Sequence, residues 1–532
     1  MTINLEKSNI FFISIIIIAS FFFSFSYDID AAILAEGAIQ SGTIDYPDEF
    51  NLYRAITLNS WSLPIQLVAI LTKLNFSTFF ISKILHFFST TMYLFGIYLI
   101  CKSITDSRVL SFLISFLIIL LRKNFGDLDY PTLIFHEASN GLIAQAMFTM
   151  IFGFFINNNY KLGIFFSIIS IAIHFTVGLW INSIIFLCYF INNKYYKNFI
   201  FKKENLYIFF LSFLTLFISF FIYYLQKVPL ETTENLYDYK TYMEVWDAHR
   251  TGYGAYRGLF NISYIIKTLI LIISMFLFIK LKLNNHKTRF GITALLMHCL
   301  LSLSIYILYK HFYILFPEII IRTIPTRFFT LHSIIGWPII FSILYIFSKK
   351  IFKSYFDSKY IFNFFLLILI LHSIQQYSNF IERYKGINLN ISLYNSQKKL
   401  NEFWLKIKNN KIKGYVLVGG SEPCVKTLAI AKKPLFFCAG GLDLLPYFPD
   451  ASGYVKEITE NVYGVSFNNP EIKHLGGIMD IELKKAFEKK SSEDWLILKK
   501  DYFITQLIVP KDWKINLTVF ATSEKYNYYL IE

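Results

Sequence analysis

The chain has 532 residues, 55% of them hydrophobic and 19% aromatic, and a formal net charge of +15. That excludes an ordinary soluble globule and leaves room for a polytopic membrane protein with one soluble domain. The lysines cluster in loops between apolar runs, so the basic excess reads as the positive-inside bias and no nucleic-acid partner is implied.

Residues 9–26 form the first apolar run, preceded by Lys7. No A-x-A-like cleavage site follows it, so it reads as a retained helix. Outer loop 27–61 carries Asp28, Asp30, Glu36, Asp45, Asp48 and Glu49, and residues 62–74, too short to span, are assigned to the interface. Spans two and three cover about 76–101 and 108–121, and outer loop 122–139 holds Asp127-Leu128-Asp129 and His136-Glu137. Span four is about 140–158. The run 162–191 exceeds one ordinary helix and breaks at His174-Phe175-Thr176-Val177-Gly178, which splits it into two short helices with outer ends meeting there. Such breaks are tolerated mainly where they line a cavity.

Further spans are read at 205–225, 260–281, 290–310, 328–348 and 360–378, with outer loops 226–258 and 311–327. The lysine-rich loops fall on one side and both D-x-D pairs on the other, giving about eleven spans and a cytoplasmic N-terminus. Arg122-Lys123 runs against this trend. The charged residues concentrate in loops, with His174 the main exception inside a span.

The fold class is therefore an α-helical polytopic membrane domain, 1–379, followed by an extracytoplasmic α/β domain, 380–532. The latter reads as a polar helix over about 391–410, strands at 415–418 and 435–438 flanking a helix, and strands at 504–509, 515–520 and 526–531. Gly419-Gly420 lacks dinucleotide or P-loop spacing and reads as a tight turn. The five cysteines show no metal-type spacing. Cys101, Cys188 and Cys299 read as inert core thiols. Cys424 and Cys438 read as two separate buried thiols, with a disulfide as the alternative in an oxidising compartment.

Carboxylates paired at a membrane surface deprotonate a hydroxyl, bind a divalent cation or orient a sugar. Asp28/Asp30 and Asp127/Asp129 are the candidates for that chemistry, with solvated acidic loops as the plain alternative. His174 is an ionisable group within a membrane run, a costly placement that marks a candidate site, with a neutral histidine bonded to a helix-end carbonyl as the alternative. His136 and Glu137 are loop candidates beside the second pair. Arginine is scarce, nine of the 51 basic residues. That makes Arg322 and Arg327, bracketing Pro325, the groups to watch: a planar fork holds two phosphate oxygens, although snorkelling to headgroups is an equal reading.

With acidic pairs after the first and third spans, an interfacial segment in the first outer loop and an extracytoplasmic C-terminal domain, the chain resembles the GT-C-fold membrane glycosyltransferases. The resemblance implies transfer of a sugar from a polyprenyl-phosphate donor to an extracytoplasmic acceptor of unknown identity. It implies Asp28 or Asp30 as general base, Asp127 and Asp129 orienting substrate or a divalent cation, and Arg322 and Arg327 holding the phosphate. Membrane lipid is the surrounding partner, and the bacterial inner membrane is the expected location. No W-W-D-Y-G signature is present, which argues against protein N-glycosylation. An envelope polysaccharide polymerase or ligase is the rival within the same chemistry. A transporter or a non-catalytic envelope-assembly protein is the rival outside it.

Overall fold

The computed structural model describes residues 9–24, 32–47, 51–125, 140–191, 203–229, 246, 262–281, 286–312, 315–317, 331–351, 367, 402–420, 422–438, 448, 451–468, 478 and 480–532. Within these the chain is 73% helical, with one small sheet in the C-terminal part. The helical part comprises α1 (Asn9–Ser24), α2 (Ala32–Gln40), α3 (Leu52–Leu58), α4 (Leu63–Lys73), α5 (Thr78–Thr105), α6 (Arg108–Phe125) and α7 (Asn140–Ile156). It continues with α8 (Tyr160–Ile173), α9 (Phe175–Ile191), α10 (Lys203–Gln226), α11 (Ile262–Lys280), α12 (His286–Phe312) and α13 (Leu331–Ile351).

The core of the bundle is α5 against α7. The two run parallel, and they approach closely because each carries a glycine at the crossing. A Cβ on Gly96 would lie 2.6 Å from the Thr149 carbonyl oxygen and the Met150 nitrogen, and one on Gly153 would lie 2.8 Å from the Gly96 oxygen. Small residues that bring helix backbones together are the usual packing device in lipid, where burial of apolar area gives little preference.

The run expected to break at His174 does so. α8 ends and α9 begins on either side of that one residue, and the helices fold back as a hairpin. Asn182 of α9 donates to the Ser167 carbonyl of α8 at 2.7 Å, and Gly178 packs directly on the α8 backbone at Ile171. Each arm is short, 14 and 17 residues.

That shortness corrects the span count. Among the described residues three helices are long and apolar enough to cross a membrane: Thr78–Thr105, Leu206–Gln226 and Thr288–Ile305. The other apolar helices, such as Ile10–Ser24 and Asn140–Ile156, have 10–17 residues. At about 1.5 Å per residue the longest of these reach roughly 26 Å, under the roughly 30 Å of a hydrocarbon core. Apolar run length overstates helix length where caps and breaks intervene. Segment 62–74 is likewise more than an interfacial stretch: α4 joins α3 through a bend of 112°, as a broken span or re-entrant loop would. α6 also runs on to Phe125, so Arg122 and Lys123 belong to its last turns and not to a loop.

The C-terminal part holds a helix over 402–409, α14, then α15 (Glu422–Ala429), α16 (Ser452–Glu457), α17 (Asp480–Glu488) and α18 (Ser492–Tyr502). Its strands are β1 (Tyr415–Val418), β2 (Ile504–Pro510), β3 (Val519–Thr522) and β4 (Tyr526–Leu530) in the order β1-β2-β4-β3. β1 and β2 pair in parallel, the rest antiparallel. The strand expected at 515–520 starts four residues later, because the chain turns through Trp513 first. The strand expected at 435–438 is a single bridge, Val416 to Leu435. Gly420 adopts φ +109, as the tight-turn reading requires.

Cys424 and Cys438 form a disulfide, with Cα atoms 5.9 Å apart, in place of two separate thiols. The bridge from Leu435 to β1 brings residues 435–438 beside the first turn of α15, which leaves β1 directly. The spacing of the two cysteines carries no sign of that return. Cys101, Cys188 and Cys299 are buried thiols outside any disulfide, as expected.

The soluble core does not stand apart from the bundle. It incorporates Ala35, Ile39, Tyr53 and Ile56 from α2 and α3, and Trp246 from the α10–α11 connection. Asn51 donates to the Phe436 carbonyl at 3.0 Å, Thr78 to the Ala429 carbonyl at 2.9 Å, and Trp246 to the Phe467 carbonyl at 2.8 Å. α2, α3 and α4 thus form a layer between the bundle and the α/β domain.

Candidate functional site

The site is built where that layer meets the bundle. At the α3–α4 bend, Ser62 donates to Asn140 Oδ1 at 2.9 Å and reaches the Ile173 carbonyl at 3.4 Å. One serine therefore ties together the bend, the start of α7 and the tip of the α8–α9 hairpin. Beside it, Trp61 donates to Ser219 Oγ of α10 at 3.0 Å, and Ser219 and Gln66 exchange two bonds of 2.6 and 2.7 Å. The Trp61 ring also contacts Phe175, Phe220 and Tyr223.

His174 sits at the hairpin tip, half-buried and in extended backbone. Its N–H bonds the Ser170 carbonyl and its own carbonyl accepts from Gly178, so it terminates one helix and starts the next. The imidazole Nδ1 is hydrogen-bonded to Thr176 Oγ1 at 3.0 Å. The ring is thereby oriented by a neighbour on its own turn.

Sequence reasoning missed the most unusual side chains here. α5 buries Lys83 and His86, 6% and 2% exposed, with Ser82, Ser89, Thr90 and Tyr93. At 100° per residue these six fall within one third of the helix circumference. Lys83 Nζ lies 5.0 Å from the Phe79 ring centre, and Tyr93 donates to the Leu142 carbonyl of α7 at 3.2 Å. The signal was present: two ionisable residues three apart inside an apolar run, on one helix face. The reading that charge avoids the spans is corrected accordingly. His298 in α12 is also fully buried, and it accepts from Trp180 Nε1 at 3.0 Å, a bond joining α9 to α12.

Depth can be counted along the helices. Thr78 touches the α/β domain, and His86 lies eight residues below it, about 12 Å at 1.5 Å per residue. From the Phe12–Tyr98 contact, counting up α1 and α5 sets Ser24 about level with His86. From the Gly153–Leu99 contact, counting up α7 and α5 does the same for Asn140. Ser24, His86, Asn140, Ser62 and the hairpin tip thus share one level beneath the soluble domain. Ser24 and Ser62 are both almost fully buried.

Of the residues assigned from sequence, only His174 is described. Asp28, Asp30, Asp127, Asp129, His136, Glu137, Arg322 and Arg327 lie outside the described residues. Their chain neighbours are informative. The segment with Asp28 and Asp30 begins immediately after Ser24, and the one with Asp127, Asp129, His136 and Glu137 ends immediately before Asn140. Both acidic segments therefore join the bundle at the level of His86. Among the described residues no cluster of three or more metal-type ligands occurs.

No family model matches the chain, and no curated protein matches it either.

Proposed function

We propose that the protein is a GT-C-like membrane glycosyltransferase that uses a polyprenyl-phosphate-linked sugar. The observation that carries this reading is the common level of Ser24 and Asn140, the attachment points of the two acidic segments, beneath a fixed soluble domain. In this reading Asp28 or Asp30 takes the proton of an acceptor hydroxyl as its oxygen attacks the anomeric carbon. The bond from that carbon to the donor phosphate breaks, and polyprenyl phosphate leaves. Asp127, Asp129, His136, Glu137 and His174 orient the sugar or a divalent cation, and Arg322 and Arg327 hold the departing phosphate.

Two features support an extracytoplasmic soluble domain. The Cys424–Cys438 disulfide belongs to oxidising compartments. Lys102, Arg108, Lys161, Arg289, Lys349 and Lys350 gather at the bundle end away from that domain, the arrangement of a cytoplasmic face.

The buried Lys83–His86 face favours one second reading, transport, because intramembrane ionisable groups also mark solute paths. Reconstituted protein given a polyprenyl-phosphate sugar and a mixture of candidate acceptors separates the two. Transfer predicts a glycosylated product and free polyprenyl phosphate, both abolished by Asp28→Asn with Asp30→Asn. Movement of a solute across the bilayer without bond cleavage would establish transport instead.

A further inference from the structure

The soluble domain carries a cleft of about 570 Å³ that the transfer reading does not use. One wall is the loop Gly464–Ser466, which follows a π-helical turn at Ile458–Val462. The other is the end of α17 and the start of α18, with Lys485, Lys489 and Lys490. Next to these wall residues in the chain, the core is packed with rings: Tyr463 stacks on Phe487 with centroids 6.1 Å apart, and Phe487 meets Trp495 edge-on at 5.6 Å. The volume falls within the roughly 300–1,000 Å³ of small-molecule clefts.

Charge in the cleft is unevenly matched. Lys485, in the last turn of α17, and Lys489, in the turn that follows the helix, are both exposed. Lys490 is half-buried, its ammonium 5.9 Å from the Trp495 ring centre. Burial lowers its pKa below the ordinary lysine value, and the opposing attraction of Asp494 is the smaller effect. Asp494 is already committed to capping α18, where its carboxylate accepts from the Ser491 N–H at 2.7 Å and hydroxyl at 2.8 Å. Glu482 is the other carboxylate at the cleft. An anion entering between the lysines would thus meet three ammonium groups against two carboxylates. At Gly464, φ +71 keeps a side chain out of the space beside Lys490.

We infer that this cleft binds an oxyanion group, phosphate or carboxylate, of a small ligand between Lys485, Lys489 and Lys490. It stands independently of glycosyl transfer, and its test needs no lipid donor. The full chain in detergent is titrated with inorganic phosphate or with glucuronate, ionic strength being held with chloride, while lysine acetylation is read by mass spectrometry. Either anion should slow modification of Lys489 and Lys490 about fivefold at about four times its Kd. Lys499 and Lys500, farther along α18, should be unaffected. Lys489→Met, an exposed change without consequence for folding, should weaken binding about tenfold, and Lys490→Arg should retain it. Equal slowing at Lys499 and Lys500, or no slowing with either anion, would overturn the assignment.

Discussion

Ser62 donates its hydroxyl proton to the Asn140 side chain across 2.9 Å. The bond joins the bend after the first acidic segment to the helix that follows the second. It is a bond between neutral groups, with Ser62 buried, so losing it should cost about 1 kcal/mol. Ser62→Ala should therefore leave the protein folded, with a slightly lower melting temperature. Transfer should fall much more than stability, because the two acidic segments lose their shared tether. Equal loss in Ser60→Ala, whose hydroxyl bonds only within its own helical turn, would remove the special role of Ser62.

The glycine crossing of α5 and α7 leads to a steric prediction. Gly96→Val places methyl groups inside van der Waals distance of the α7 backbone, which cannot yield as a side chain tip would. Folded yield from detergent extraction should fall sharply. Gly336→Val is the control, since a Cβ there meets only Leu271 at 3.7 Å.

Trp246 anchors the α10–α11 connection in the soluble core, stacked on Phe467 with centroids 5.5 Å apart. Truncating a fully buried tryptophan costs about 3–5 kcal/mol. Trp246→Ala should expose that connection to limited proteolysis while the β2–β4 pair stays protected. Unchanged cleavage would mean that Trp246 contributes packing without holding the two parts together.

Alkaline stability should carry the mark of Lys432. Burial, then the nearby charge of Lys408, lowers its pKa to about 8. The folded state thus releases this proton at lower pH than the unfolded state, which binds more protons between about pH 8 and the ordinary value of 10.5. Stability should rise with pH across that window. The half-buried Tyr46 and the buried Tyr53, whose pKa values are raised by desolvation, oppose the rise above about pH 10, where unfolded tyrosine ionises. Chemical denaturation at pH 7.5 and 9.5 should show the increase, and Lys432→Met should flatten it.

Much of the helical layout was legible because apolar runs and lysine-rich loops are local signals. The break at His174 was visible for the same reason: a polar residue and a nearby glycine interrupt a run too long for one helix. The level shared by Ser24, His86 and Asn140 was not, since it depends on how Gly96 and Gly153 let two helices approach. The disulfide stood second to two separate thiols because Cys438 returns beside α15 through a bridge to β1, a pairing without a mark in the spacing. Lys83 and His86 were legible but passed over, being outnumbered by the charges in loops.

The central claim is that a lipid phosphate lies at the level of His86, between the acidic segments and the arginines after α12. An electron-microscopy map of the protein in nanodiscs with added polyprenyl phosphate tests it directly. Headgroup density is expected beneath the soluble domain, within hydrogen-bond reach of Arg322 or Arg327 and beside the segment that follows Ser24. Lipid density confined to the outer perimeter of the bundle, with that level occupied by protein side chains alone, would contradict it.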